Sequence, residues 1–86
     1  METRVAIISI IVEDKEKIEE INRLLHETNE YIIGRMGIPY RQKGISIISI
    51  AIDAPQDTIS TLSGKIGRLS GVTTKTAYSN VITKAE

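Results

Sequence analysis

Residues 61–72 read TLSGKIGRLSGV, and whether they form a loop or a helix decides the fold. The Gly64-Lys65 pair suggests a phosphate-cradling loop, which needs a glycine, four residues, then Gly-Lys followed by Ser or Thr. Ile66 stands where the hydroxyl would be, and Ile59 stands where the first glycine would fall. Ile59, Leu62, Ile66 and Leu69 instead recur at spacings of three, four and three, the period of an amphipathic helix. That stripe runs straight past Gly64, so the stretch reads as helix. Two interior glycines cost a helix roughly 1 kcal/mol each relative to alanine. Ser63, Gly64, Gly67 and Ser70 are therefore expected to admit close approach of a neighbouring element. Gly71 is placed to cap the helix in the left-handed conformation that a missing Cβ permits.

Working outward, GISIISIAID (44–53) puts Ile48, Ile50 and Ile52 on one side of a strand and Ile45, Ile47, Ser49 and Ala51 on the other. RVAIISIIV (4–12) repeats the pattern, with Ala6, Ile8, Ile10 and Val12 opposite Val5, Ile7, Ser9 and Ile11. Both strands are apolar on both faces and must be covered twice. Between them the period changes: Ile18, Ile21, Leu24 and Leu25 form a helical stripe, giving an expected helix over about 14–28 with Asn29 as terminator. Glu13 or Asp14 would cap it, and Lys15–Glu19 and Glu19–Arg23 would pair four residues apart. YIIGRMGI (31–38) reads as a second strand and PYRQKG (39–44) as its connection, because Pro39 lacks a ladder donor. VTTKTAY (72–78) gives the last strand, which the tail SNVITKAE either extends or flanks.

The order strand, helix, strand, strand, helix, strand predicts a single α+β domain over 1–86. The expected architecture is a ferredoxin-like (ACT-like) βαββαβ sandwich, an antiparallel sheet with both helices on one face. The opposite face then presents Val5, Ile7, Ile11, Ile45 and Ile47 to solvent, which predicts assembly through the sheet.

Composition narrows the function. Eleven basic and eleven acidic residues give zero formal charge, which disfavours direct DNA binding and leaves little repulsion against self-association. There is no cysteine and a single histidine, His26, so neither disulfides nor a thiolate metal site is expected, and no cofactor or metal is assigned. No signal pattern or membrane-length apolar run appears, so a cytoplasmic protein is expected.

The segments VAIISIIVEDKEKIEEINRLLHE, YIIGRMGIPYR and DTISTLSGKIGRLSGVTTKT together resemble a small family described as regulators of the iron-only hydrogenase system. That family is related to ACT-like ligand-binding domains and to the C-terminal domain of the nickel-responsive repressor. The resemblance implies a ferredoxin-like fold, a role linked to transcriptional regulation, and small effectors such as amino acids bound near the first strand–helix loop, here Val12, Glu13 and Asp14. The ribbon-helix-helix segment of the repressor has no counterpart here. Nickel sensing is not implied either, because the repressor's site uses several histidines and a cysteine.

Candidate effector-binding residues are Glu13, Asp14, Arg35, Tyr40 and Arg41. Arg35 and Arg41 flank MGIPY and offer planar guanidinium forks to an anion, against the plainer reading as solvated or paired surface cations. Tyr40 offers a stacking face, or simple packing. Glu13 and Asp14 would hold an amine, or only cap the helix. Lys65 and Arg68 share a helix face and read as solvated. No acid, base and nucleophile constellation is present, so the chain reads as a non-enzyme. The expectation is an oligomeric (dimeric or tetrameric) regulatory protein that binds a small effector; the alternative is a protein–protein interaction module with no effector.

Overall fold

Alternation along the two isoleucine-rich strands sets the layers. In the computed structural model, which describes residues 2–84, β1 (Glu2–Val12) buries Ala6, Ile8, Ile10 and Val12, and β3 (Ile45–Ala54) buries Ile48, Ile50, Ile52 and Ala54. α1 (Ile18–Glu27) and α2 (Gln56–Gly67) add Ile21, Leu24, Leu25, Ile59, Leu62 and Ile66 to the same cluster, so both helices cover one face. β2 (Ile32–Tyr40) and β4 (Val72–Lys84) complete a four-stranded antiparallel sheet in the order β2-β3-β1-β4. This small α+β arrangement is compatible with the expected ferredoxin-like sandwich. Among the described residues no polar side chain is buried in the core. The core is thus almost pure aliphatic packing, the main source of stability for so short a chain.

Several boundaries differ from expectation, each for a local reason. The first helix opens with a 3-10 turn, Lys15–Lys17, and becomes α-helical only at Ile18. Asp14 tightens this turn: its Oδ1 accepts from the Glu16 amide at 3.0 Å and its carbonyl accepts from the Lys17 amide at 3.0 Å. Arg23 does not pair with Glu19. Its two terminal nitrogens donate to Glu20 and Glu27, each at 2.9 Å, three residues back and four ahead. A guanidinium fork can serve two carboxylates on adjacent turns at once.

Pro39 and Tyr40 belong to β2 rather than to the connection, which shrinks to a 3-10 turn over Arg41–Lys43 and a left-handed Gly44 at φ 65°. Because β2 is an edge strand, the missing proline amide leaves no ladder partner stranded inside the sheet. β2 bulges between Ile32 and Gly34.

α2 ends at Gly67, so only the first half of 61–72 is helical. Residues 68–71 form a turn, with Gly71 at φ 74°. Of the two helix glycines, Gly67 does permit a close approach: an added Cβ would lie 3.0 Å from Thr74 Oγ1 on β4. Gly64 faces only the movable Arg68 side chain at 3.3 Å, so the packing expected of it is absent. The tail extends the last strand to Lys84, past a bulge opposite Val5 where the β1–β4 register shifts. Arg4 anchors that bulge. Its guanidinium donates twice to the Ser79 carbonyl (2.8 and 3.3 Å) and lies 4.8 Å from the Tyr78 ring centroid.

Directly paired residues share a face, so the side away from the helices can be read off the register. It carries the rows Ile38–Ile47–Ile11–Thr73, Met36–Ser49–Ser9–Lys75 and Gly34–Ala51–Ile7–Ala77. Val5, Ile7, Ile11, Met36, Ile38, Tyr40 and Ile47 are all exposed there.

Candidate functional site

Where α1 runs beside the β2–β3 hairpin, the surface forms a groove with two lobes. The narrower lobe, about 180 Å³, includes Ile18, Asn22, Arg35 and Gly37 in its walls. The wider one, about 330 Å³, includes Lys15, Tyr40, Arg41 and Ile45. Ile18, Pro39 and Ser46 line both, so the two lobes lie side by side across a shared waist of these three residues.

Local sequence explains each wall. Residues 15, 18 and 22 fall on one helical stripe, which turns Lys15, Ile18 and Asn22 toward the hairpin. Arg35 pairs with Ile50, whose side chain faces the helices, so Arg35 also points toward α1. Its Nη2 donates to Asn22 Oδ1 at 2.9 Å, which holds the guanidinium across the narrow lobe. Gly37 pairs with buried Ile48 on the same face, and a Cβ added there would meet nothing within 4 Å. The missing side chain at Gly37 is therefore what leaves the narrow lobe open.

Of the five candidate residues, the structure places Arg35, Tyr40 and Arg41 around this groove, with Arg35 in one lobe and the other two in the second. Glu13 and Asp14 line neither lobe. The Glu13 amide donates to the Gly71 carbonyl at 2.7 Å, and Asp14 caps the 3-10 turn while packing against Gly71. These two residues lock the end of β1 to the α2–β4 turn.

Sequence reasoning missed Lys15, Ile18, Asn22, Gly37, Pro39 and Ser46. The 15–18–22 spacing was a usable signal for the first three. Nothing local to the sequence shows that the hairpin lies against that stripe.

Lys15, Arg35 and Arg41 line the groove and no carboxylate does, so its walls are cationic over an apolar and hydroxyl-bearing waist. Such walls have the charge to suit an anion and supply no acid–base pair. His26 lies outside the groove, exposed in the last turn of α1. Among the described residues no three His, Cys, Asp or Glu side chains cluster as metal ligands. A second depression, about 270 Å³, lies between the helices around Leu24, Asp57, Leu62 and Lys65 and mixes both charge signs.

The groove also meets the bare sheet face. Ile38 and Ile47 line the narrow lobe and Tyr40 lines the wide one, yet all three belong to the exposed apolar surface opposite the helices. The groove and the bare face therefore share hairpin residues: the groove lies on the helix side of the strands whose Ile38 and Ile47 side chains form the opposite surface.

A family model described as "TM1266-like: Iron-only hydrogenase system regulator, putative" matches residues 4–76. Among solved structures, the uncharacterized protein TM1266 from Thermotoga maritima is 43% identical, with 88% of this chain and 96% of that one covered and a TM-score of 0.85. A formyltetrahydrofolate deformylase from Pseudomonas putida KT2440 is 15% identical over 85% of this chain and 28% of its own, with a TM-score of 0.64, a likeness of fold alone. No curated protein matches.

Proposed function

The chain belongs to the TM1266-like family, and from that premise we propose that it is a regulatory module whose self-association responds to a small molecule in the α1–hairpin groove. The observation that carries this reading is the sharing of Ile38, Tyr40 and Ile47 between the groove and the bare sheet face. A ligand that shifts the hairpin carrying those residues changes the surface a second copy must cover, so binding and assembly are coupled through differential contacts. The sheet face fits a second copy in size. Four strands about 4.8 Å apart and the seven rows paired across all of them, about 3.3 Å apart, give a footprint on the order of 450 Å² before side-chain relief. A stable interface needs roughly 800 Å² per partner, so a second copy would have to cover this face together with its rim. Lys75 and half-buried Asp53 are the charges its paired rows carry among the described residues. The ferredoxin-like, ACT-like architecture and a link to transcription of a hydrogenase system are part of the same proposal.

The test is size against ligand. Sedimentation velocity of the full chain, with and without each hit from a thermal-shift screen of small metabolites, should show the assembly changing with occupancy. Gly37→Val should abolish that response by filling the narrow lobe. Its own thermal midpoint should hold or rise slightly, because a β-branched residue replaces glycine in a strand with free space around its Cβ. An assembly indifferent to every bound compound would defeat the coupling.

A second reading, an interaction module without an effector, draws on the β4 edge: Val72–Lys84 is thirteen residues long and, among the described residues, pairs only with β1. An unpaired edge of that length can accept a strand from another protein. A stoichiometric partner that co-purifies regardless of small molecules, and is lost on Thr76→Pro, would favour it.

A further inference from the structure

We propose that the groove selects an elongated organic dianion, with one anionic group held at Arg35 and the other between Lys15 and Arg41. The proposal rests on the groove being the effector site. The cations are divided between the lobes, and the waist they share is formed by Ile18, Pro39 and Ser46, with no charge of either sign. A compact dianion would face cations at one end only. Arg35 is registered with Ile50 and Tyr40 with Ile45, five residues apart along the strands, or about 17 Å of backbone at ~3.4 Å per residue. Long side chains reach inward from both ends and shorten that gap, yet the two anionic groups still require an extended body between them. That body meets an isoleucine, a proline and one hydroxyl, surfaces suited to methylenes.

Each end is matched to its task. One terminal nitrogen of Arg35 is committed to Asn22, which orients the guanidinium and leaves the rest of its donor fork for a planar carboxylate or a phosphate oxygen pair. In the wide lobe Lys15 and Arg41 approach from separate elements, the 3-10 turn before α1 and the turn after β2, as a pair of point contacts. Exposed ion pairs are individually weak, so appreciable affinity needs both ends engaged at once. Length and double charge thereby become the basis of discrimination.

Titration calorimetry of the full chain at low ionic strength with succinate, suberate, octanoate and 1,8-octanediol tests this. Suberate should bind at least tenfold more tightly than either succinate or octanoate, and the diol should not bind measurably. Arg35→Gln should cost suberate at least tenfold while changing octanoate less than twofold, since octanoate needs only one end. Suberate binding no tighter than octanoate, an equal loss for both ligands in Arg35→Gln, or no binding by the series would overturn the dianion assignment. Gly37→Val separates the two levels of inference. If a neutral or cationic compound binds and Gly37→Val removes it, the groove stands as an effector site and the ligand class is wrong. If a compound binds and Gly37→Val leaves its affinity unchanged, both readings fall.

Discussion

Ile7→Glu is expected to break the proposed sheet-to-sheet assembly into protomers while leaving the protomer folded. Ile7 lies on β1, an inner strand, with Ala51 and Ala77 directly beside it on the bare face, and it is 47% exposed in the single chain. In a protomer the glutamate would stay in water and cost only strand preference, below about 1 kcal/mol. Against a second copy it would be an unpaired buried charge, for which about 3–5 kcal/mol is typical. A two-fold interface repeats the substitution in both copies. At about 1.4 kcal/mol per decade, the dissociation constant should rise more than 100-fold. Sedimentation equilibrium of the parent and the variant measures it, with circular dichroism to confirm the fold. Ile7→Thr, which keeps a β-branched side chain, should give an intermediate loss. A parent chain that is monomeric near 100 μM would end the account of regulation by assembly; so would an Ile7→Glu variant that assembles like the parent.

Gly71→Ala should cost about 2–4 kcal/mol, the largest effect expected of any single methyl group in this chain. Two causes add. At φ 74° an alanine carries the left-handed penalty of about 1–2 kcal/mol. Its Cβ would also stand 2.8 Å from Asp14 Cβ and 3.3 Å from the Asp14 amide nitrogen, forcing apart the junction that the Glu13-to-Gly71 hydrogen bond closes. Gly44→Ala is the control. At φ 65° with nothing within 4 Å of the added carbon, it should show the conformational cost alone. At about 4–8 °C per kcal/mol for a domain of this size, thermal midpoints resolve the two variants. Equal midpoints for Gly71→Ala and Gly44→Ala would show that the Asp14 contact adds nothing.

The same junction shows how sequence reasoning can find a residue and miss its task. Asp14 is recognisable as a helix-capping type, and it does cap. Its second role, as the surface that requires glycine at 71, joins residues far apart in sequence and follows from how the strand end meets the α2–β4 turn. Arg35, Tyr40 and Arg41 were legible because two arginines flank an aromatic in a short segment. Lys15 and Asn22 were ordinary helix-surface polar residues until the hairpin lay against them. Pro39 reads as a strand breaker in sequence because the strand order is not visible there; at a sheet edge its missing donor is not needed.

The alternating isoleucines by themselves determined that each inner strand carries two apolar rows, because a period of two sends successive side chains to opposite faces; that both helices cover one face and leave the other bare was decided by the crossovers. The helical stripe through 59–66 likewise settled that Gly64-Lys65 belongs to a packed helix. Only the tertiary structure decided where a ligand could sit. A groove is the gap left between elements brought together by register and crossover, and neither the opening at Gly37 nor the division of its cations between two lobes is written in any one segment.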